Sequence, residues 1–172
     1  MVDVAVPSLE ERVAELKSIE ERWRKLQIIR KLKRRKTFRG YFHAKCNVEM
    51  DKLFDRFGVP FYFRIPFYAM LHEFVSDVFR SQGVNFDFFW EYAYKKHVVG
   101  GGLDKYVSKE VIEGIKEMVW QMWRLREALL AEFNAMQMLK EYELSGKKVD
   151  WDEFSLIELE FIDEDKEKEG VG

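Results

Sequence analysis

From Ile115 to Ser145 the chain runs thirty-one residues without a glycine or proline. Good helix formers fill that stretch, so it has no local device for stopping a helix. Ile115, Met118, Met122, Leu125, Leu129, Met136 and Leu139 recur at spacings of three and four, broken at Glu132. A second stripe of Val119, Trp123, Leu130 and Phe133 lies beside the first. Two adjacent stripes predict a helix covered on more than one side, as in a bundle or an assembly interface. Glu132 is expected at the edge, with Phe133 taking over the apolar face. One straight helix over 109–144 would be about 54 Å long, whereas a compact chain of this size has a radius of gyration of about 16 Å. Such a helix bends, belongs to an elongated bundle, or reaches a second subunit.

A second long helix is predicted over about 9–36. Ser8 followed by Glu11 has the form of a capping box, and Leu9, Val13, Leu16, Ile19, Trp23 and Leu26 follow helical spacing. Its first half is acidic and its second half basic, the order that complements the helix dipole. The apolar pattern then fails: no apolar residue lies between Leu32 and Phe38. Residues 33–37 are therefore expected to project from the body or to fray into a loop ending at Gly40.

Between the long helices the chain is aromatic and frequently interrupted. Asn47 is placed to cap a short helix stopped by Gly58, Pro66 to open a second that ends before Gly83, and Asn85 to cap a third that ends at Gly100–Gly102. Residues 150–162 fit a short C-terminal helix slightly better than a strand, although Ile157, Leu159 and Phe161 alternate with Glu158 and Glu160. The expected fold is thus all-α: an elongated helical bundle with two long helices and three short aromatic-rich ones. A single helical domain over 1–162 precedes an acidic tail at 163–172 whose composition predicts disorder.

Charge carries the functional information. Between Arg22 and Lys45 there are eleven Lys or Arg residues and no Asp or Glu, in a chain whose formal net charge is -2. From Asp150 to Gly172 ten acidic residues face two lysines. The helix dipole accounts for the basic residues up to Ile29. It leaves Arg30, Lys31, Lys33, Arg34, Arg35, Lys36 and Arg39 without a packing reason, and a field this concentrated attracts phosphate backbones, anionic lipid or acidic protein surfaces.

Catalytic and metal patterns are weak. His43 and Cys46 make half of a zinc set, with no second cysteine to complete it. His72-Glu73 lacks the second histidine of a zinc-protease helix, and no Glu-x-x-His pair suits a di-iron centre. Glu73 and Asp77 are like charges one helical turn apart, which suits the rim of a core helix better than an acid-base pair. The triple glycine lacks the Lys-Ser/Thr ending of a phosphate loop. No catalytic residue, metal or cofactor is expected. A single cysteine excludes an internal disulfide and suits a reducing compartment. Neither a leader-like start nor an apolar run of bilayer length is present, so a cytoplasmic location and no integral membrane segment are expected. The abundance of charge over Asn and Gln carries a weak thermophile signature.

The reading these features support is a non-enzymatic protein that binds DNA or RNA by its phosphate backbone through those seven basic residues. Tyr41 and Phe42, next to the basic run, are the best-placed candidates for base stacking, ahead of Tyr62, Tyr68, Tyr92 and Tyr94. The alternative is a helical assembly protein forming a homo-oligomer through its long amphipathic helices, with no nucleic-acid ligand.

Overall fold

The computed structural model describes residues 6–159, so the acidic tail expected at 163–172, and the end of the 150–162 segment, lie outside the described residues. The described residues form six α-helices: α1 (Leu9–Lys33), α2 (Phe38–Arg56), α3 (Phe61–Arg80), α4 (Phe86–Tyr94), α5 (Lys109–Arg124) and α6 (Arg126–Leu144). Among the described residues there is no strand, and no helix is long and apolar enough to cross a membrane.

α2 packs against α3 and α5, and α3 against α4. Their apolar faces enclose the larger core, in which Phe42, Phe54, Phe67, Met70, Leu71, Phe74 and Ile115 are fully buried. Edge-to-face aromatic contacts run through it, including Phe42 with Trp123 at 5.8 Å and Phe74 with Trp90 at 5.3 Å. A smaller cluster of Ile29, Leu32, Tyr41, Ala44, Phe133 and Met136 joins α1, α2 and α6, with Trp151, Phe154 and Leu156 closing over it.

Local chemistry explains most helix ends. The Ser8–Glu11 capping box forms in both directions. Thr37 caps α2 by accepting the Gly40 amide at 3.1 Å, and Ser108 caps α5 through Val111. α1 therefore stops at Lys33, short of 36, and α2 is capped at Thr37, ten residues before the cap expected at Asn47, which lies inside it. A hydroxyl cap followed by the apolar ladder Tyr41, Phe42, Cys46 outweighs one glycine near the start of a helix. The middle helices are consequently longer than predicted. α3 likewise starts at Phe61, with Pro60 at its cap position and Pro66 inside it. The hydrogen bond that Pro66 forgoes would go to the carbonyl of Tyr62, on an exposed turn where water replaces it. Asn85 does occupy the cap position of α4, without a side-chain cap bond. After α4 a π-helical turn at Lys95–Val99 and left-handed Gly102, at φ 69°, reverse the chain.

Residues 109–144 are helical almost throughout but not straight: Leu125, at φ −90° and ψ 9°, separates α5 from α6. Arg126 stabilises the break by donating to the Trp123 carbonyl at 2.9 Å and lying over the Trp123 ring. The bend lets the long apolar stripe stay on α2 through α5 and then reach both α2 and α1 through α6. The C-terminal segment forms a single 3-10 turn, Trp151–Glu153, and then runs extended without pairing into a sheet.

Glu132 is not an edge residue. It is 6% exposed and sits at the centre of a buried polar network. Its Oε1 accepts from Tyr41 Oη and from Lys45 Nζ, the latter at 2.9 Å. Its Oε2 accepts from the Ile157 amide at 2.5 Å, while Lys45 also donates to the Ile157 carbonyl at 2.7 Å. An extended segment has no helix partners for its backbone groups, and this pair of buried charges supplies them. Glu132 thus interrupts the apolar stripe in order to fasten the C-terminal segment to α2 and α6.

Candidate nucleic-acid interface

α1 meets the body through one face of its last turns. Ile29 and Leu32 are buried there, and at 100° per residue Arg30, Lys31 and Arg34 point to the opposite side within an arc of about 100°. The chain then turns through Arg34–Thr37 into α2. The Gln137 side chain donates to the Arg35 carbonyl at 3.4 Å, so α6 supports the turn from behind. Arg39 follows in the first turn of α2, a turn with no acidic residue.

Six of the seven predicted basic residues come together on this corner. Arg30, Lys31, Arg34, Arg35, Lys36 and Arg39 are all exposed and form no ion pair among the described residues. About half of the basic side chains elsewhere in the described fold do: Arg64 with Asp55 at 2.8 Å, Lys96 with Glu73 at 2.9 Å and Arg22 with Asp152 at 2.5 Å are examples. Lys33 is placed differently. It bonds Glu143 at 2.7 Å and lies 4.4 Å from the centre of the Trp151 ring. Trp151 donates to the other oxygen of Glu143 at 2.8 Å, and the Lys33 contact, then that of Trp151, holds the Glu143 carboxyl below its ordinary pKa. Lys33 is a structural clamp between α1, α6 and the C-terminal segment.

Lys31, Arg34 and Arg35 form one bank of an open groove of about 430 Å³, and Ala44, Asn47, Val48 and Asp51 of α2 form the other. Asn47 is the residue that the sequence assigned to a helix cap. Its Nδ2 lies 3.3 Å from His43 Nε2, and its Oδ1 is buried without a partner. His43 in turn lies 5.3 Å from the His72 ring. Burial first, then His72 and Arg35, lowers the His43 pKa to about 4, so it is neutral at pH 7. The groove therefore combines three cations with the amide of Asn47 and one carboxylate, Asp51, which is engaged by Tyr68 and Arg64, and the first amides of α2 add positive potential beside it.

The predicted stacking pair is not available. Tyr41 and Phe42 are both fully buried, because the α2 face that follows Thr37 is the face packed into the two cores. Tyr62 and Tyr92 are exposed and Tyr68 and Tyr94 half-buried, all on α3 and α4 rather than at the basic corner.

The other polar candidates have structural partners. Glu73 accepts from His97 at 2.5 Å and from Lys96, and the Lys96 bond is the leading cause that holds its carboxyl below the ordinary range. That is the opposite of what a shared acid-base proton requires. Asp77 pairs with Arg80 at 3.5 Å. Cys46 is fully buried, and burial pushes its thiol pKa up. Among the described residues no group of three His, Cys, Asp or Glu side chains could hold a metal ion. No family model, curated protein or solved structure matches this chain.

Proposed function

We propose that this chain is a non-enzymatic nucleic-acid-binding protein that holds the phosphate backbone of DNA or RNA at the α1–α2 corner. One observation carries the reading: six cations crowded on one corner are all exposed and lack ion pairs among the described residues, while about half of the other described basic side chains are paired. Uncompensated cations crowded on one corner repel one another, which destabilises the free protein slightly, and an extended polyanion relieves that repulsion. Arg34, Arg35, Lys36 and Arg39 contact phosphates around the start of α2, and Arg30 and Lys31 extend the track along the outward face of α1. With no aromatic side chain exposed at the corner, the binding is backbone-directed and tolerant of base sequence. A cytoplasmic location with reduced Cys46 belongs to the same reading.

The test is a mobility shift with a duplex and a single strand at low salt. The wild-type chain retards both, and a variant with Arg34, Arg35, Lys36 and Arg39 changed to Gln does not, while its far-UV circular dichroism is unchanged. Equal retention by the variant, or none by the wild type, refutes the proposal.

A further inference from the structure

α1 carries two apolar faces that point in different directions. At its C-terminal end Ile29 and Leu32 face the body. In the preceding turns Leu9, Val13, Leu16, Ile19 and Trp23 form a separate stripe on the roughly opposite side, the side later taken by Arg30, Lys31 and Arg34. Every residue from Leu9 to Arg24 is exposed, with Leu16 at 65% and Trp23 at 61%. Among the described residues nothing covers the stripe, because the end of α1 that docks turns the stripe away from the body. The stripe advances with a seven-residue period, Leu9–Leu16–Trp23 and Ile19–Leu26, the pattern that lets two helices wrap around each other.

We infer that a second copy of this chain covers the stripe, with α1 packed antiparallel on the partner's α1 about a two-fold axis at Leu16. Antiparallel pairing centred there sets Leu9 opposite Trp23, Val13 opposite Ile19 and Leu16 opposite itself. The same register sets Arg12 opposite Glu20 beside the seam and places Glu15 opposite Lys17 on its flank. Charge decides the direction. A parallel pair would bring the two basic corners side by side, six unpaired cations against six. The antiparallel pair holds Arg30 of one copy about 42 Å along the axis from its equivalent, several times the Debye length of about 8 Å at physiological salt. The overlap covers residues 9–23 only, whose stripe faces away from the side on which Arg22 meets Asp152, so the partner helix and the body lie on opposite sides of α1. A two-helix seam of this length buries on the order of 1,000 Å² in total, at the low end of specific interfaces, so the dimer is a reversible one.

The experiment is sedimentation equilibrium of the full chain over a concentration series at physiological salt. The expected result is a monomer–dimer equilibrium that Leu16→Asp abolishes, with helix content unchanged because Leu16 is exposed in the monomer. Arg12→Glu and Glu20→Arg each turn two attractive contacts into repulsive ones and weaken the dimer about tenfold. Together they restore it to within about threefold of wild type. A monomer up to about 1 mM overturns the inference, as does a dimer insensitive to Leu16→Asp. A double variant no tighter than either single one overturns the antiparallel register. Nucleic-acid retention at the basic corner is read independently of all three outcomes.

Discussion

Replacing Glu132 by Ala removes the acceptor of three buried donors at once: Tyr41 Oη, Lys45 Nζ and the Ile157 amide. The Lys45 side chain is 5% exposed and keeps only the Ile157 carbonyl at 2.7 Å. Stripping a buried charge of its counter-ion costs about 3–5 kcal/mol, and each neutral donor left without a partner adds about 1–3 kcal/mol when nothing relaxes. The C-terminal segment does relax, since Ile157 can peel away into water, so the combined loss is expected at about 4 kcal/mol rather than the sum. That is a large part of the 5–15 kcal/mol that holds a typical domain together. The assay is equilibrium urea unfolding followed by circular dichroism. Glu132→Gln keeps the shape and one acceptor and should lose less. The paired change of Lys45→Met with Glu132→Leu removes both charges and should recover most of the loss, because apolar isosteres avoid the desolvation cost. A loss below about 1 kcal/mol for Glu132→Ala would show that Lys45 and Ile157 are hydrated, and would refute the network as the fastener of the segment.

Two further outcomes follow from the core. His43 is neutral in the folded chain down to about pH 4 but takes up a proton below the ordinary histidine value of 6.5 when unfolded, so stability falls as pH drops from 6.5 to 4. In denaturation midpoints measured across that range, His43→Gln should remove this component and leave the carboxylate losses at lower pH; an unchanged slope would contradict the burial of the ring. Gly83 has φ +82°, and a Cβ there would lie 2.7 Å from the Trp123 indole, so Gly83→Ala should cost at least about 2 kcal/mol, read as a lowered thermal midpoint with a shifted tryptophan emission; a neutral substitution would show the α3–α4 turn to be loosely packed against α5.

Much of the helical character could be read from the sequence because it rests on local signals: the Ser8–Glu11 box, the glycines at 58, 83 and 100–102, and the unbroken run after Ile115. The errors arose where tertiary partners decide. Glu132 looked like an edge residue because its partners, Tyr41, Lys45 and Ile157, lie far away in the chain and two of them are polar or charged side chains that spacing does not flag. Tyr41 and Phe42 looked available for stacking because charge surrounds them in sequence, yet Thr37 starts a helix whose inner face they occupy. Leu125 carries no breaker, and the bend there accompanies a change from packing chiefly on α2 to packing on α2 and α1 together. At the basic corner the pattern of charge was legible. Which cations are free was not, since the capture of Lys33 by Glu143 and Trp151 depends on a segment more than a hundred residues downstream.

The central claim is that the α1–α2 corner binds a phosphate backbone through cations that have no ion-pair partner among the described residues. Its most direct test is the salt dependence of affinity for a short duplex, measured by fluorescence anisotropy. Six phosphate contacts predict a slope of log K against log salt of about −5, and removing Arg34, Arg35 and Lys36 together should bring it to about −3. A slope near zero, or one that these three substitutions leave unchanged, would contradict the account.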